Sequence, residues 1–296
     1  MANDKPIPDT GAYLHDQPSV RKIGMADLRD ALVRGLADFK AMPTHLVFLC
    51  VIYPVVTLIA ARTYAGYEML PLVFPLFAGY TLIGPLVAIG LYELSRRRER
   101  GLDTSRRHVF DVLWSPSIGA ITTLSLFLMV IYFAWLLAAL AIYEQNFGPA
   151  VPKSATDFAR QVFTTDSGWA LIITGCGLGF LFAVAVFTLS VVSFPLLLDR
   201  RVSVVTAVST SVRAVLMNPV TMAIWGLFIA GALLVGSLPL FVGLAVVLPV
   251  LGHSSWHLYR KVVKPAGSAF ETTDFAAEFR TSAWPTHLGK RGSRTR

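Results

Sequence analysis

The sequence predicts an all-α polytopic membrane protein with six transmembrane helices. They form three hairpins, each preceded by a cytoplasmic amphipathic helix, in a parallel threefold repeat. Three observations carry this expectation. First, 54% of the residues are hydrophobic, only 15% are charged and the mean hydropathy is +0.60, a balance unsuited to a soluble globule. Second, the 46 residues between Arg213 and Arg260 include no Asp, Glu, Lys or Arg. That length suffices for two spans of roughly 20 residues each across a hydrocarbon core about 30 Å thick. Third, one order of parts recurs along the chain: polar-apolar segment, proline, outgoing apolar run, turn, and a returning run that ends on basic residues.

Residues 1–22 are rich in Pro, Asp and Gly and read as a disordered lead-in with no apolar core of a cleavable leader. Met25, Leu28, Leu32, Leu36 and Phe39 then recur at steps of three and four, with Asp27, Asp30, Arg34 and Asp38 between them. This is an amphipathic helix ending before Pro43, and it should lie flat on the membrane surface. Span one is expected at 44–61 and span two at 69–94, the latter interrupted by Pro71, Pro75, Gly84 and Pro85. A basic run, Arg96 to Arg107, follows, then a short amphipathic piece (Val109, Val112, Leu113) up to Pro116. Span three runs on to about Tyr143, the loop 146–167 holds a short helix near Phe158, and span four is expected at 168–198. Val205, Val208, Val212 and Val215 mark a third surface helix that ends at Asn218-Pro219; spans five and six turn at Gly236 to Pro239 and finish at Arg260. Ser209, Thr210, Ser211 and Arg213 give that third helix a polar face read as solvated. Residues 263–296 read as a mobile basic tail, which leaves 23–262 as the membrane domain with repeat units at about 23–100, 101–201 and 202–262.

In this arrangement 23 of the 26 Lys and Arg fall on one side, and only Arg62, Lys153 and Arg160 on the other. Both termini are therefore expected in the cytoplasm. The net charge of +8 points to anionic head groups at that face rather than to nucleic acid. Aligning Pro85 with Pro249 sets Tyr92 against Trp256, Glu93 against His257, Leu94 against Leu258 and Arg96 against Arg260, which writes the repeat out in its first and third copies.

No charged residue stands in the middle of an expected span, which argues against an ion-coupled pump. The candidate polar mouth is Glu93, Asp199, His253 and His257, near the cytoplasmic ends of the even spans. His253 and His257 share a helix face, roughly 10 and 5 Å inside the basic boundary, beside an aromatic belt of Trp256 and Tyr259. They are the only weak candidates for a metal, which would recruit Glu93 or Asp199; no metal or other cofactor is expected. Gly175 and Gly179, with Gly226 and Ala230, offer faces for close helix packing, within the chain or against a partner. Cys50 and Cys176 lie in apolar runs and read as small buried hydrophobes. No GxSxG elbow is present, and no His and acid are placed to serve a nucleophilic serine.

The run from Pro195 to Arg201, through Ala207 to Ala214, Asn218-Pro219 and Trp225-Gly226, to Leu248 to Arg260 resembles a bacterial family of integral membrane proteins, domain of unknown function 2189. The resemblance is most specific over 195–261 and implies a six-span bacterial inner-membrane protein; it carries over no catalytic or binding residue. Surface helices alternating with hairpins also resemble, more loosely, the membrane domain attached to some glycerophosphodiester phosphodiesterases. The leading expectation is a non-enzymatic accessory or assembly factor for a larger membrane complex, with a membrane protein or a second copy as partner. A passive small-solute or lipid-handling transport protein is the alternative, and a haem- or metal-binding redox protein the second.

Overall fold

The computed structural model describes residues 18–42, 55–56, 67–149, 151–239 and 241–264, with the side chains of all but 67–68, 77–87 and 106. The chain divides into two units, 1–263 and 264–296. Most of the lead-in (1–17), span one apart from 55–56, Cys50 and the tail beyond Lys264 lie outside the described residues. Within them the secondary structure is helical with no strand, apart from one antiparallel bridge between Val20 and Val263.

Helix α1, Met25–Ala41, begins at Gly24, whose amide donates to the Asp27 carboxylate at 3.0 Å. Asp27 in its first turn and Lys40 in its last both suit the helix dipole. Its packed face is not centred on the apolar stripe of the sequence. Leu28, Ala31, Gly35 and Asp38 are buried, whereas Met25 and Leu36 are exposed. The reason is close approach: Gly35 lies against the backbone of Ser254, and small residues decide which face the neighbour can reach.

A 3₁₀ turn, Tyr67–Leu72, leads into α2, Val73–Glu99. The short amphipathic piece is a 3₁₀ helix, Arg106–Trp114, followed by α3, Ile118–Phe147, which closes at Gly148 with φ 75°. The short helix near Phe158 is α4, Ala155–Thr164. Thr165 ends it and also caps α5, Asp166–Ser190, accepting from the Gly168 amide at 3.0 Å. The chain breaks at 191–192 and resumes as α6, Ser193–Asp199. Helix α7, Val204–Met217, starts on Ser203, which accepts from the Thr206 amide. Helix α8, Pro219–Ser237, has proline at its first position, where no amide bond is lost, and α9 is Leu244–Val262.

Among the described residues three stretches are long and apolar enough to cross a membrane: Ile118–Phe147, Asp166–Asp199 and Pro219–Ser237. The helices at the expected second and sixth spans, α2 and α9, are not among them; each ends in polar turns. Helix α1 packs on α9, the 106–114 helix on α2, and α7 on α5 and α6. The core, with Trp225, Trp256, Tyr259 and Phe194 fully buried, gathers where these pairs meet.

Half of the polar face of α7 is interior, which corrects the solvated reading for Thr210 and Ser211, whereas Arg213 is exposed. Thr210 and Ser211 are both 0% exposed. Ser211 Oγ accepts from the Val192 amide at 3.2 Å and donates to the Thr188 carbonyl at 2.7 Å, satisfying backbone groups freed by the break between α5 and α6. Trp256 and Tyr259 are likewise core residues, each 1% exposed, rather than an aromatic belt.

Candidate functional site

The last three turns of α2 hold Glu93, Ser95, Arg96, Arg97, Arg98 and Glu99. At 100° per residue Glu93, Arg96, Arg97 and Arg100 share one face, and Ser95 and Arg98 lie on the other. The first face meets α6 and the 106–114 helix; the second meets α1 and α9. The polar residues therefore separate into groups on either side of one helix.

On the second face the centre is Asp38, only 5% exposed. Its carboxylate accepts from Ser95 Oγ at 2.6 Å, His257 Nε2 at 2.8 Å and Arg98 Nη1 at 2.6 Å. Burial pushes this carboxyl up, but the bonds from His257 and Ser95 outweigh it and hold it below its ordinary value. Because the Ser95 proton goes to Asp38, the His253 Nδ1 atom, 2.7 Å from Ser95 Oγ, must be the donor in that contact. Serine thus stands between acid and histidine with its proton on the acid, the reverse of the order a nucleophilic triad requires. Ser95 is also 0% exposed.

On the first face Glu93, 2% exposed, pairs with Arg96 at 2.7 Å and Arg97 at 3.8 Å. Arg97 continues to Asp111 at 3.1 Å, which His108 also meets at 2.6 Å. A hydrogen bond from His108, with two from Ser105, holds Asp103 below the carboxylate range. Asp199, at the end of α6, pairs with Arg100 at 3.3 Å and Arg260 at 3.6 Å and accepts from the Tyr259 hydroxyl at 2.8 Å. Glu99 accepts from Trp256 Nε1 and from Arg260, both at 3.1 Å. The ends of α2, α6 and α9 are tied together by these bonds.

Glu93 and Asp199 line one cleft of about 380 Å³, with Arg96, Arg97, Arg200 and Arg201 in its walls. His253 and His257 do not share that opening; they face Ser95 and Asp38. Among the described residues no group of three or more His, Cys, Asp or Glu side chains could hold a metal ion. Of the packing residues, Gly179 lies against Trp135 and Gly226 against Phe187, both inside the bundle. Gly175 has open space beyond it, and Ala230 is exposed. Cys176 is exposed on the same helix as Gly175, not buried.

Asp38, Ser95 and Glu99 escaped the sequence reading. The available signal for Asp38 was its position three residues after Gly35 and seven after Ala31, at the end of a small-residue stripe. Nothing local marked Ser95 or Glu99, whose partners stand 158 and 157 residues away.

Residues 73–199 match the family described as predicted integral membrane protein, domain of unknown function 2189. The matched segment runs from the start of α2 to the end of α6 and so includes Glu93 and Asp199; most of 195–261, where the resemblance was read as most specific, lies outside it. No curated protein and no solved structure matches the chain. With three helices suited to crossing a bilayer, the chain is an integral membrane protein.

Proposed function

We propose that this integral membrane protein is a non-enzymatic accessory or assembly factor for a larger membrane complex. The observation that carries the reading is the contrast between its two zones. At the polar end, Glu93, Asp199, His253 and His257 are all engaged by neighbouring side chains, which suits a fixed clamp better than a reacting site. Along the spans much is left bare by the described residues: only 22% of the most apolar stretch of α3 and 17% of that of α8 is buried, and none of them comes within 4 Å of a Cβ added at Gly175, Gly177 or Gly231. Bare faces with small residues admit a neighbouring helix.

The architecture proposed with it is six spans in a parallel threefold ring, in a bacterial inner membrane with both termini cytoplasmic. The cyclic order of contacts supports it. The surface helix of each unit packs on the returning helix of the unit before it: 106–114 on α2, α7 on α5 and α6, and α1 on α9, which closes the circle. In the Pro85–Pro249 register Gly90 corresponds to Ser254. Gly90 lies against Val109 of its surface helix, and Ser254 against Gly35 of its own. Leu94 and Leu258, also in register, are 0% and 1% exposed. The units are 23–100, 101–201 and 202–262, with 1–22 and 263–296 as flanking segments. Anionic head groups are the expected surroundings of the arginine-rich end.

The test is mass spectrometry of what co-purifies stoichiometrically with the tagged full chain from native membranes in mild detergent. A stoichiometric integral membrane partner, lost when Gly175 and Gly231 are changed to leucine, is the expected result. Recovery alone, or only as a homo-oligomer, would refute the accessory reading. A lipid-handling role is the second reading, favoured by the cleft between Glu93 and Asp199.

A further inference from the structure

Two openings meet beside the first turn of α3. One is the cleft whose walls carry Arg96, Arg97, Arg200 and Arg201. The other, also about 380 Å³, is an apolar groove between α2, the 106–114 helix and the first three turns of α3, with Ile89, Phe110, Leu113, Ile121 and Met129 along it. Val112 lines both.

The charge of the cleft is decided by how its carboxylates are engaged. Glu93 is held by Arg96 and Arg97, and Asp111 by Arg97 and His108. Asp199 is met from outside the cleft by Arg100 and Arg260, besides Arg200 of the cleft wall at 4.0 Å. Four arginines therefore face acids whose charge is already offset, in part by cations that do not line the opening. Arg201 is exposed and forms no ion pair among the described residues. A surplus of positive charge is left facing the opening.

Depth fixes what anion lies within reach. The cleft stands at the first residues of one membrane-crossing stretch, Ile118–Phe147, and at the last of another, Asp166–Asp199. That is the level of the lipid phosphates, and the groove leads from it along α3 toward the hydrocarbon. Phe110, Leu113 and Trp114, 59%, 59% and 78% exposed, lie on the helix between the two openings, and the indole of Trp114 is an amphipathic ring of the kind that favours the interface.

We propose that cleft and groove together bind one anionic glycerophospholipid, its phosphate among Arg96, Arg97, Arg200 and Arg201 and one acyl chain along the groove. A free phosphate would use the cleft and leave the groove empty. A zwitterionic lipid would bring a cation to a site already in positive surplus. The inference rests on the chain being an integral membrane protein and is independent of whether a protein docks on its spans.

The experiment is native mass spectrometry of the delipidated full chain in neutral detergent, titrated with phosphatidylglycerol or phosphatidylcholine. Wild type is compared with Arg200→Gln/Arg201→Gln, Arg200→Lys/Arg201→Lys and Thr122→Phe, a change at an exposed position that fills the groove. Phosphatidylglycerol should be retained about tenfold or more over phosphatidylcholine. The glutamine pair and Thr122→Phe should each remove most of that preference, and the lysine pair should keep the larger part of it. If the glutamine pair does not give monodisperse protein, Arg201→Gln alone serves, since that side chain is outside every ion pair described. Equal retention of the two lipids overturns the proposal. So does loss in the arginine variants but not in Thr122→Phe with competition by millimolar inorganic phosphate, which would mean that the cleft takes a free anion.

Discussion

A methyl group added at Gly35 would stand 2.6 Å from the Ser254 backbone nitrogen and 2.7 Å from its Cα, atoms that can move only if α9 moves. Gly35→Ala should gain up to about 1 kcal/mol in helix propensity and lose about 1–3 kcal/mol to overpacking, so the net effect is destabilising. Gly175→Ala has open space and should be neutral or slightly stabilising. Thermal unfolding of the two variants in one detergent checks the contrast, and equal midpoints would place no close contact at Gly35. Asp38 is the other residue that decides this seam. Asp38→Ala leaves Ser95, Arg98 and His257 without their shared acceptor, and loss of one partner from a buried pair costs about 3–5 kcal/mol. Its carboxyl is held below its ordinary value in the folded chain. The stability it contributes is therefore complete above the ordinary carboxylate range and is lost as the pH falls through the folded value. Asp38→Asn should flatten the acid limb of the unfolding midpoint against pH; a limb as steep as in wild type would mean that other carboxylates, such as Asp30, dominate it. From the sequence Asp38 was one polar residue of a surface helix, because the partners that bury it stand 57, 60 and 219 positions away.

Where the chain bends, local signals were sufficient and pairings between helices were not. The end at Asn218-Pro219, the turn near 236–239 and the short helix about Phe158 could all be read, because caps, prolines and glycines act within a few residues. The interior placement of Ser211 could not, because its work is done on α5 and α6. Replacing it with valine keeps the shape and strands the Val192 amide and the Thr188 carbonyl, at about 1–3 kcal/mol. Ser209 donates only to the Thr206 carbonyl within its own helix, so Ser209→Ala should be nearly silent. Chemical unfolding of both variants separates the readings, and similar losses would contradict an assignment of Ser211 to the break. The polar mouth shows the same limit. Glu93 and Asp199, each just before a basic boundary, line one cleft, but the two histidines turn toward α1, and no spacing rule announces which face of α2 a distant helix will occupy.

Taken as a whole, the molecule gathers the ends of α2, α6 and α9 at one pole through Arg100 to Asp199, Arg260 to Asp199 and Arg260 to Glu99. Charges that share ion pairs lie on the same side of a bilayer, so the pole puts the ends of α2, α6 and α9 at one face, in keeping with the excess of basic residues there. The described helices alone would allow three crossings. The difference is experimentally accessible, because six crossings bring α9 back to the side of α7 whereas three leave it beside the end of α8. With Cys50 and Cys176 replaced, single cysteines at Lys22, Leu102, Val151, Val205, Leu238 and Lys264 report the arrangement to a membrane-impermeant maleimide. Val151 and Leu238, 51% and 74% exposed, should label in intact cells; the other four should label only after permeabilisation. Labelling of Lys264 together with Leu238 would reduce the chain to three crossings and leave α1 and α9 packed together outside the bilayer. Protection of Lys264 with labelling of Leu238 requires α9 to cross. Since α1 is bound to α9 by the contacts of Asp38, Gly35 and Lys261, it would then have to lie at the same face as the 106–114 helix and α7.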